Sequence, residues 1–176
     1  MSNLPRLAEL LRARNTVESN IANLLKCEVD LSNVGEHIAA CIFGIRLIPT
    51  TSQTGFVGIF TNPTLKGKTV DVRWYPRRAG YLNIHTDPAP DYTLVLAGPE
   101  IEQNEARALV NPWVITSAHL FHMQELLSTL RTRGIRVGLR VSVNTHLWEQ
   151  AEIFPHQHNP GLILADEQRQ LLKLFG

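Results

Sequence analysis

The apolar residues of this chain change period several times, and each change predicts an element. Leu4, Leu7, Leu10 and Leu11 recur at spacings of three and four, which places them on one stripe of a short helix. Asn15-Thr16 brings N-cap chemistry that interrupts the stripe, and Val17, Ile21, Leu24 and Leu25 continue it on a second helix toward Lys26. The next helix is capped by Asp30 or Ser32. Its residues Val34, Ile38, Ala39, Ile42 and Phe43 face inward, and Gly44 ends it as a C′ glycine. Glu36 falls in its first turn, beside the inward face.

Strand periods follow. Ile45 to Ile48 predicts a short strand, and a Pro49 to Thr54 loop leads into a hairpin. The hairpin has a Gly-bracketed strand, Gly55-Phe56-Val57-Gly58-Ile59-Phe60, the turn Leu65-Lys66-Gly67-Lys68, and a second strand from Thr69 to Tyr75. Tyr81 to His85 alternates apolar and polar residues, and Asp91 to Ala97 predicts a buried strand closed by Gly98-Pro99. Glu100 to Asn111 is polar and weakly periodic and receives no assignment. Trp113 to Phe121 is extended, Leu126, Leu127 and Leu130 define a helix over Met123 to Arg133, Gly134 stops it, and Ile135 to Val143 alternates as a strand. Asn144 or Thr145 caps a short helix through Trp148, and Asp166 to Leu172 forms a terminal helix. This order predicts an α/β fold, a mixed β-sheet flanked by helices. Residues 1–30 carry an N-terminal helical pair and residues 31–176 the α/β core of a single domain.

Composition narrows the function classes. A chain of 176 residues with 44% apolar and 19% charged residues fills one core and is short for two. A formal net charge of +1 excludes a strongly basic nucleic-acid coat and an acidic solvating tail. No apolar run approaches the roughly 20 residues that span a bilayer, and Met1 to Arg14 has no apolar leader segment, so a soluble cytoplasmic protein with no membrane partner is expected. Cys27 and Cys41 are expected as small buried hydrophobes of a reduced compartment. His156 and His158 are the one close histidine pair, and without a companion Cys pair or helical His-Glu motif they do not predict zinc. No phosphate loop, dinucleotide fingerprint or nucleophile elbow is present.

The candidate chemistry lies between Gly35 and Tyr75. Glu36 on a helix, with Asp71 and Arg73 two residues apart on a strand, would bring three polar groups to one edge of the sheet, as a metal or phosphate site needs. Other readings stand beside this one. Glu36 near a helix start is favourable to the helix dipole, and Asp71 and Arg73 share a strand face that solvent alone explains. Lys66, Lys68, Arg73, Arg77 and Arg78, with Trp74 and Tyr75 among them, suit phosphate contacts or simple surface solubility. The leucine stripes of the first 26 residues suit a homodimer or a protein partner.

A Gly-Glu at a helix start (Gly35-Glu36), a Gly-aromatic-x-Gly strand (Gly55-Phe56-Val57-Gly58) and an acid-x-cation strand after a Gly-Lys turn (Asp71-Val72-Arg73) resemble the PD-(D/E)XK superfamily of restriction-endonuclease-like nucleases. The resemblance covers roughly residues 35–98 and implies a restriction-endonuclease-like core. It implies Glu36 and Asp71 as ligands of a divalent ion, Mg²⁺ or Mn²⁺, with Arg73 in the place of the family's lysine and Val57 in the place of its first strand aspartate. Valine supplies no oxygen to bridge ion and phosphate. Arginine keeps a charge for the transition state but, with a pKa above about 12, is a poor base for activating water. The resemblance therefore implies a degenerate site that binds DNA or a partner without efficient cleavage. Two alternatives remain: an active metal-dependent DNA nuclease with a rearranged site using Glu36, Asp71 and another acid such as Asp30, and a protein-interaction module unrelated to nucleic acid.

Overall fold

The computed structural model describes residues 3–49, 55–100 and 111–176. Most of the Pro49 to Thr54 loop and of the unassigned Glu100 to Asn111 stretch lies outside the described residues.

The chain opens with helix α1 (Leu4–Leu25), which runs without a break through Asn15-Thr16. The local hydrogen bonds explain why no cap forms there. The Thr16 hydroxyl donates to the Arg12 carbonyl at 3.1 Å and the Ser19 hydroxyl to the Asn15 carbonyl at 2.8 Å, so these side chains bond back one turn within the helix. The two predicted stripes are thus one helix, and the N-terminal pair consists of α1 and α2 (Leu31–Phe43). Asp30 caps α2 by accepting the Asn33 N–H at 2.8 Å, and Gly44 closes it at φ +66° with its N–H on the Ala40 carbonyl.

Six strands form the main sheet in the order β1 (Ile45–Leu47), β2 (Gly58–Phe60), β3 (Thr69–Tyr75), β5 (Tyr92–Ala97), β6 (Ser117–His122) and β8 (Glu152–Phe154). The β3–β5 pair is parallel and every other pair is antiparallel. Both central strands are buried on two faces. Along β5, Leu94 and Leu96 enter one core with Ile38, Ala39 and Phe43 of α2 and Leu172 of α5 (Asp166–Lys173). Val95 and Ala97 enter a second core with Met123, Leu126 and Leu130 of α3 (Met123–Thr132) and Trp148 of α4 (Thr145–Ala151). The result is a mixed α/β architecture with helices on both sheet faces.

Three expectations need correction. The strand predicted over Ile135 to Val143 shrinks to β7 (Arg140–Ser142) and pairs with β4 (Tyr81–Asn83) in a separate two-stranded sheet instead of joining the main one. Leu82, Ile84, Val141 and Val143 show the reason, because they cover the α3 side of the main sheet as a lid and supply the apolar partners that this face needs. Strand β8 was not expected, since three residues between Ala151 and Pro155 are too few to show a period. Cys27 and Cys41 are exposed, not buried: Cys27 follows the end of α1, and Cys41 lies on the outer face of α2 with its Sγ 3.7 Å from His37 Nε2.

Candidate functional site

Gly35 fixes where the site begins. It sits on the face of α2 that crosses β3, where a Cβ would stand 3.1 Å from Trp74 Cβ, so a larger residue would crowd the strand and press Trp74 aside by a few tenths of an ångström. The next residue, Glu36, is half-buried and within the electrostatic reach of Asp71 and Arg73. Because α2 starts at Leu31, Glu36 belongs to the second helical turn, not the first. The dipole effect is confined to the terminal turn, so helix capping does not account for this acid.

Asp71 is 2% exposed, which corrects the idea of a solvated polar face. Arg73 Nε donates to Asp71 Oδ2 at 2.8 Å, and Arg73 Nη2 reaches the same oxygen at 2.7 Å. Burial pushes the Asp71 carboxyl above the usual carboxylate range, and the opposing pull of Arg73, His85 and the Val72 N–H does not cancel it. Glu36 is raised as well, first by burial, then by the negative charges of Asp71 and Asp30, with Arg73 working against them. Glu36 thus feels the charges of Asp71 and Arg73 without touching either: Val70, Val72 and Trp74 face α2, so Asp71 and Arg73 lie with Tyr75 on the opposite face of the sheet. Asp30 acts on Glu36 only at a distance, since its two carboxylate oxygens are held by the Asn33 N–H and the Asn33 side-chain amide.

Val57 does not face Asp71 and Arg73. Its N–H donates to the Val70 carbonyl at 3.0 Å, and its side chain packs against the core on the α2 side. Among the described residues no three His, Cys, Asp or Glu side chains are grouped as a set of metal ligands. A cation on Asp71 Oδ2 would have to displace Arg73.

The basic residues do not form one patch. Lys66 and Lys68 lie in the turn before β3, where Lys66 is exposed and Lys68 Nζ pairs with Asp91 at 3.2 Å. Arg77 and Arg78 lie beyond the other end of the strand, where Arg78 pairs with Glu100 at 2.8 Å and sits over the Trp148 ring at 5.5 Å.

Sequence reading passed over a second polar centre. His119 on β6 is buried opposite Glu152 on β8. Its Nδ1 lies 3.0 Å from the Trp148 carbonyl and therefore carries the proton, which leaves Nε2 to accept from the Ser117 hydroxyl at 3.1 Å. Glu152 holds the Nδ1 atoms of His156 and His158 on its two oxygens, at 3.1 and 3.3 Å, with the imidazole rings stacked at 5.7 Å. The His-Gln-His spacing was visible in the sequence, but the carboxylate that joins the two rings was not. A cavity of about 510 Å³ opens beside it between α3, α4 and residues 158–161, and none of Glu36, Asp71 or Arg73 lines it.

No protein-family model matches this chain, and no curated protein matches it in sequence. No helix among the described residues is long and apolar enough to cross a membrane.

Proposed function

We propose that this chain is a restriction-endonuclease-like protein whose acid site has been closed by its own arginine, and that it binds DNA in the cytoplasm without cutting it. The carrying observation is the pair of contacts from Arg73 Nε and Nη2 to Asp71 Oδ2. A metal ligand must offer a free lone pair, and this oxygen is already occupied by a guanidinium that cannot lose its proton. The order of helix α2, three antiparallel strands and a parallel fourth strand, with Asp71 and Arg73 on the third, supports the kinship on which this reading rests. Lys68 and Arg77 are nine residues apart, roughly 30 Å along extended chain. That is near one turn of B-form duplex, about 34 Å, so the two basic pairs suit phosphates on one side of a duplex.

Titration of supercoiled plasmid and of a labelled duplex with Mg²⁺ or Mn²⁺ present tests this reading. Intact plasmid is expected, together with duplex binding whose log affinity falls against log salt with a slope between about −1.8 and −3.6, as two or four of the cations are used. Cleavage that disappears in both Glu36→Ala and Asp71→Ala would establish the active nuclease instead. Absence of salt-sensitive binding would remove DNA as the partner.

A second reading has its own observation. No residue of α1 is buried, and Leu4 and Leu24 are 68% and 78% exposed, so the helix presents its apolar stripe to whatever covers it. We propose α1 as a self-association surface, which sedimentation of the full chain across a concentration series tests.

A further inference from the structure

The apolar stripe of α1 carries two charged residues, and their positions set how a second copy can lie on it. Leu4, Leu7, Leu11, Ile21 and Leu25 follow one another on the helix at spacings of three, four, ten and four, with Arg14 and Glu18 filling the gap of ten to complete a repeat of threes and fours. Leu10, Val17 and Leu24 widen the same face. Arg14 and Glu18 already approach each other within the helix at 3.4 Å, both with substantial exposure, so neither is sequestered by the rest of the fold.

From this we infer that α1 pairs with α1 of a second copy in antiparallel orientation, with Arg14 of each chain against Glu18 of the other; the inference rests on the self-association reading. The register follows from the charges. A parallel pairing sets Arg14 against Arg14 and Glu18 against Glu18 in the middle of an apolar seam, where like charges repel. Turning one helix around and aligning Arg14 with the partner's Glu18 creates two opposite-charge layers by symmetry. The same alignment sets Leu11 against Ile21 and Leu7 against Leu25 in both directions, so each of these layers is either apolar on apolar or cation on anion, while Leu4 extends past the end of the partner helix. The contact is isologous, as a two-fold dimer requires. At 1.5 Å rise per residue the 22-residue helix is about 33 Å long, long enough for all these layers.

Charge reversal and cross-linking test the arrangement on the full chain. Sedimentation is expected to give a dimer for the native chain, loss of the dimer in Arg14→Glu and in Glu18→Arg, and its recovery in the double variant. In a background with Cys27→Ser and Cys41→Ser, chains carrying Leu11→Cys are mixed with chains carrying Ile21→Cys and oxidised. Mixed disulfides between the two variants are expected. Disulfides of each variant with itself would show parallel helices, overturning the antiparallel pairing while keeping α1 as the association surface. A chain that stays monomeric throughout the series overturns both, and circular dichroism of each variant separates loss of pairing from loss of the helix.

Discussion

Arg73 holds Asp71 from two positions further along the same strand, with two of its nitrogens on one carboxylate oxygen at 2.8 and 2.7 Å. Side chains at i and i+2 share a strand face, so sequence alone makes this contact possible. Burial is what gives it consequences. A carboxylate that is 2% exposed must keep its partner or take up a proton.

Removing the guanidinium therefore leaves a buried acid without compensation. Arg73→Leu is expected to lower stability by about 3 kcal/mol, within the range for breaking a buried pair, whereas Asp71→Asn combined with Arg73→Leu loses less. Urea unfolding of the two single variants and the double variant measures the coupling. Strictly additive losses would show that the pair is not energetically linked.

Glu36 predicts a gain instead of a loss. Its carboxyl is raised by burial and by the nearby Asp71 and Asp30 charges, so the folded state holds this proton more tightly than the unfolded chain does. Stability from this group falls as pH rises from the ordinary carboxylate range through the raised folded value, and Asp71 acts with the same sign. Glu36→Gln should raise the melting temperature at pH 7, by about 2–4 °C per kcal/mol for a chain of this size. The gain should vanish near pH 3. A lower melting temperature at pH 7 would mean that Glu36 makes a favourable contact with its charged form.

His119 works in the opposite direction. Burial, helped by Arg78 and opposed by the Trp148 carbonyl and Glu152, lowers its pKa to about 4 from an ordinary value near 6.5. The unfolded chain takes up this proton first as the medium is acidified. The contribution is complete above about pH 6.5 and is lost as pH falls toward about 4, in total about 3 kcal/mol. Unfolding curves of the native chain and of His119→Gln should converge across that window. Parallel curves would exclude the linkage.

Asp91 ties the start of β5 to the start of β3. Its Oδ2 accepts from the Thr69 N–H and the Thr69 hydroxyl, both at 2.9 Å, and its own N–H donates to that hydroxyl at 2.8 Å. Burial pushes the carboxyl up, but Thr69 and Lys68 outweigh it and hold the group below the usual range. Asp91→Ala should cost about 1–3 kcal/mol, as expected for hydrogen bonds to a charged acceptor. In the native chain this stabilisation is present above the ordinary carboxylate pKa and fades as pH falls through the lowered one. Amide exchange at Thr69 reads the same contact locally and should speed up in the variant.

Much of the candidate site could be read from residue order. The helix that carries Glu36, the turn at Gly67 and the strand that carries Asp71 and Arg73 form where their local signals put them, though Glu36 falls one turn later than expected, because caps, turns and strand alternation are encoded within a few residues. Two things about the site were not legible. Nothing near Val57 in the chain reveals that its side chain joins the core on the α2 side, on the sheet face opposite Asp71 and Arg73. Likewise, nothing between His156 and His158 reveals that Glu152 joins them, since the strand carrying Glu152 exists only through its pairing with β6.

The same division runs through the whole molecule. By itself the sequence determined the helix starts near Asp30 and Asn144, the glycine stop at Gly44, the strand β3 and the buried strand β5. Only the tertiary structure decided that β7 leaves the main sheet to pair with β4, that the cysteines face outward, that Asp71 is buried against Arg73, and that the leucines of α1 stay uncovered. The physical reason is that periodicity and capping fix which face of an element is apolar, whereas the residues that cover this face come from distant parts of the chain. Burial, and with it the charge state of every acid and histidine at these sites, is settled by that second choice.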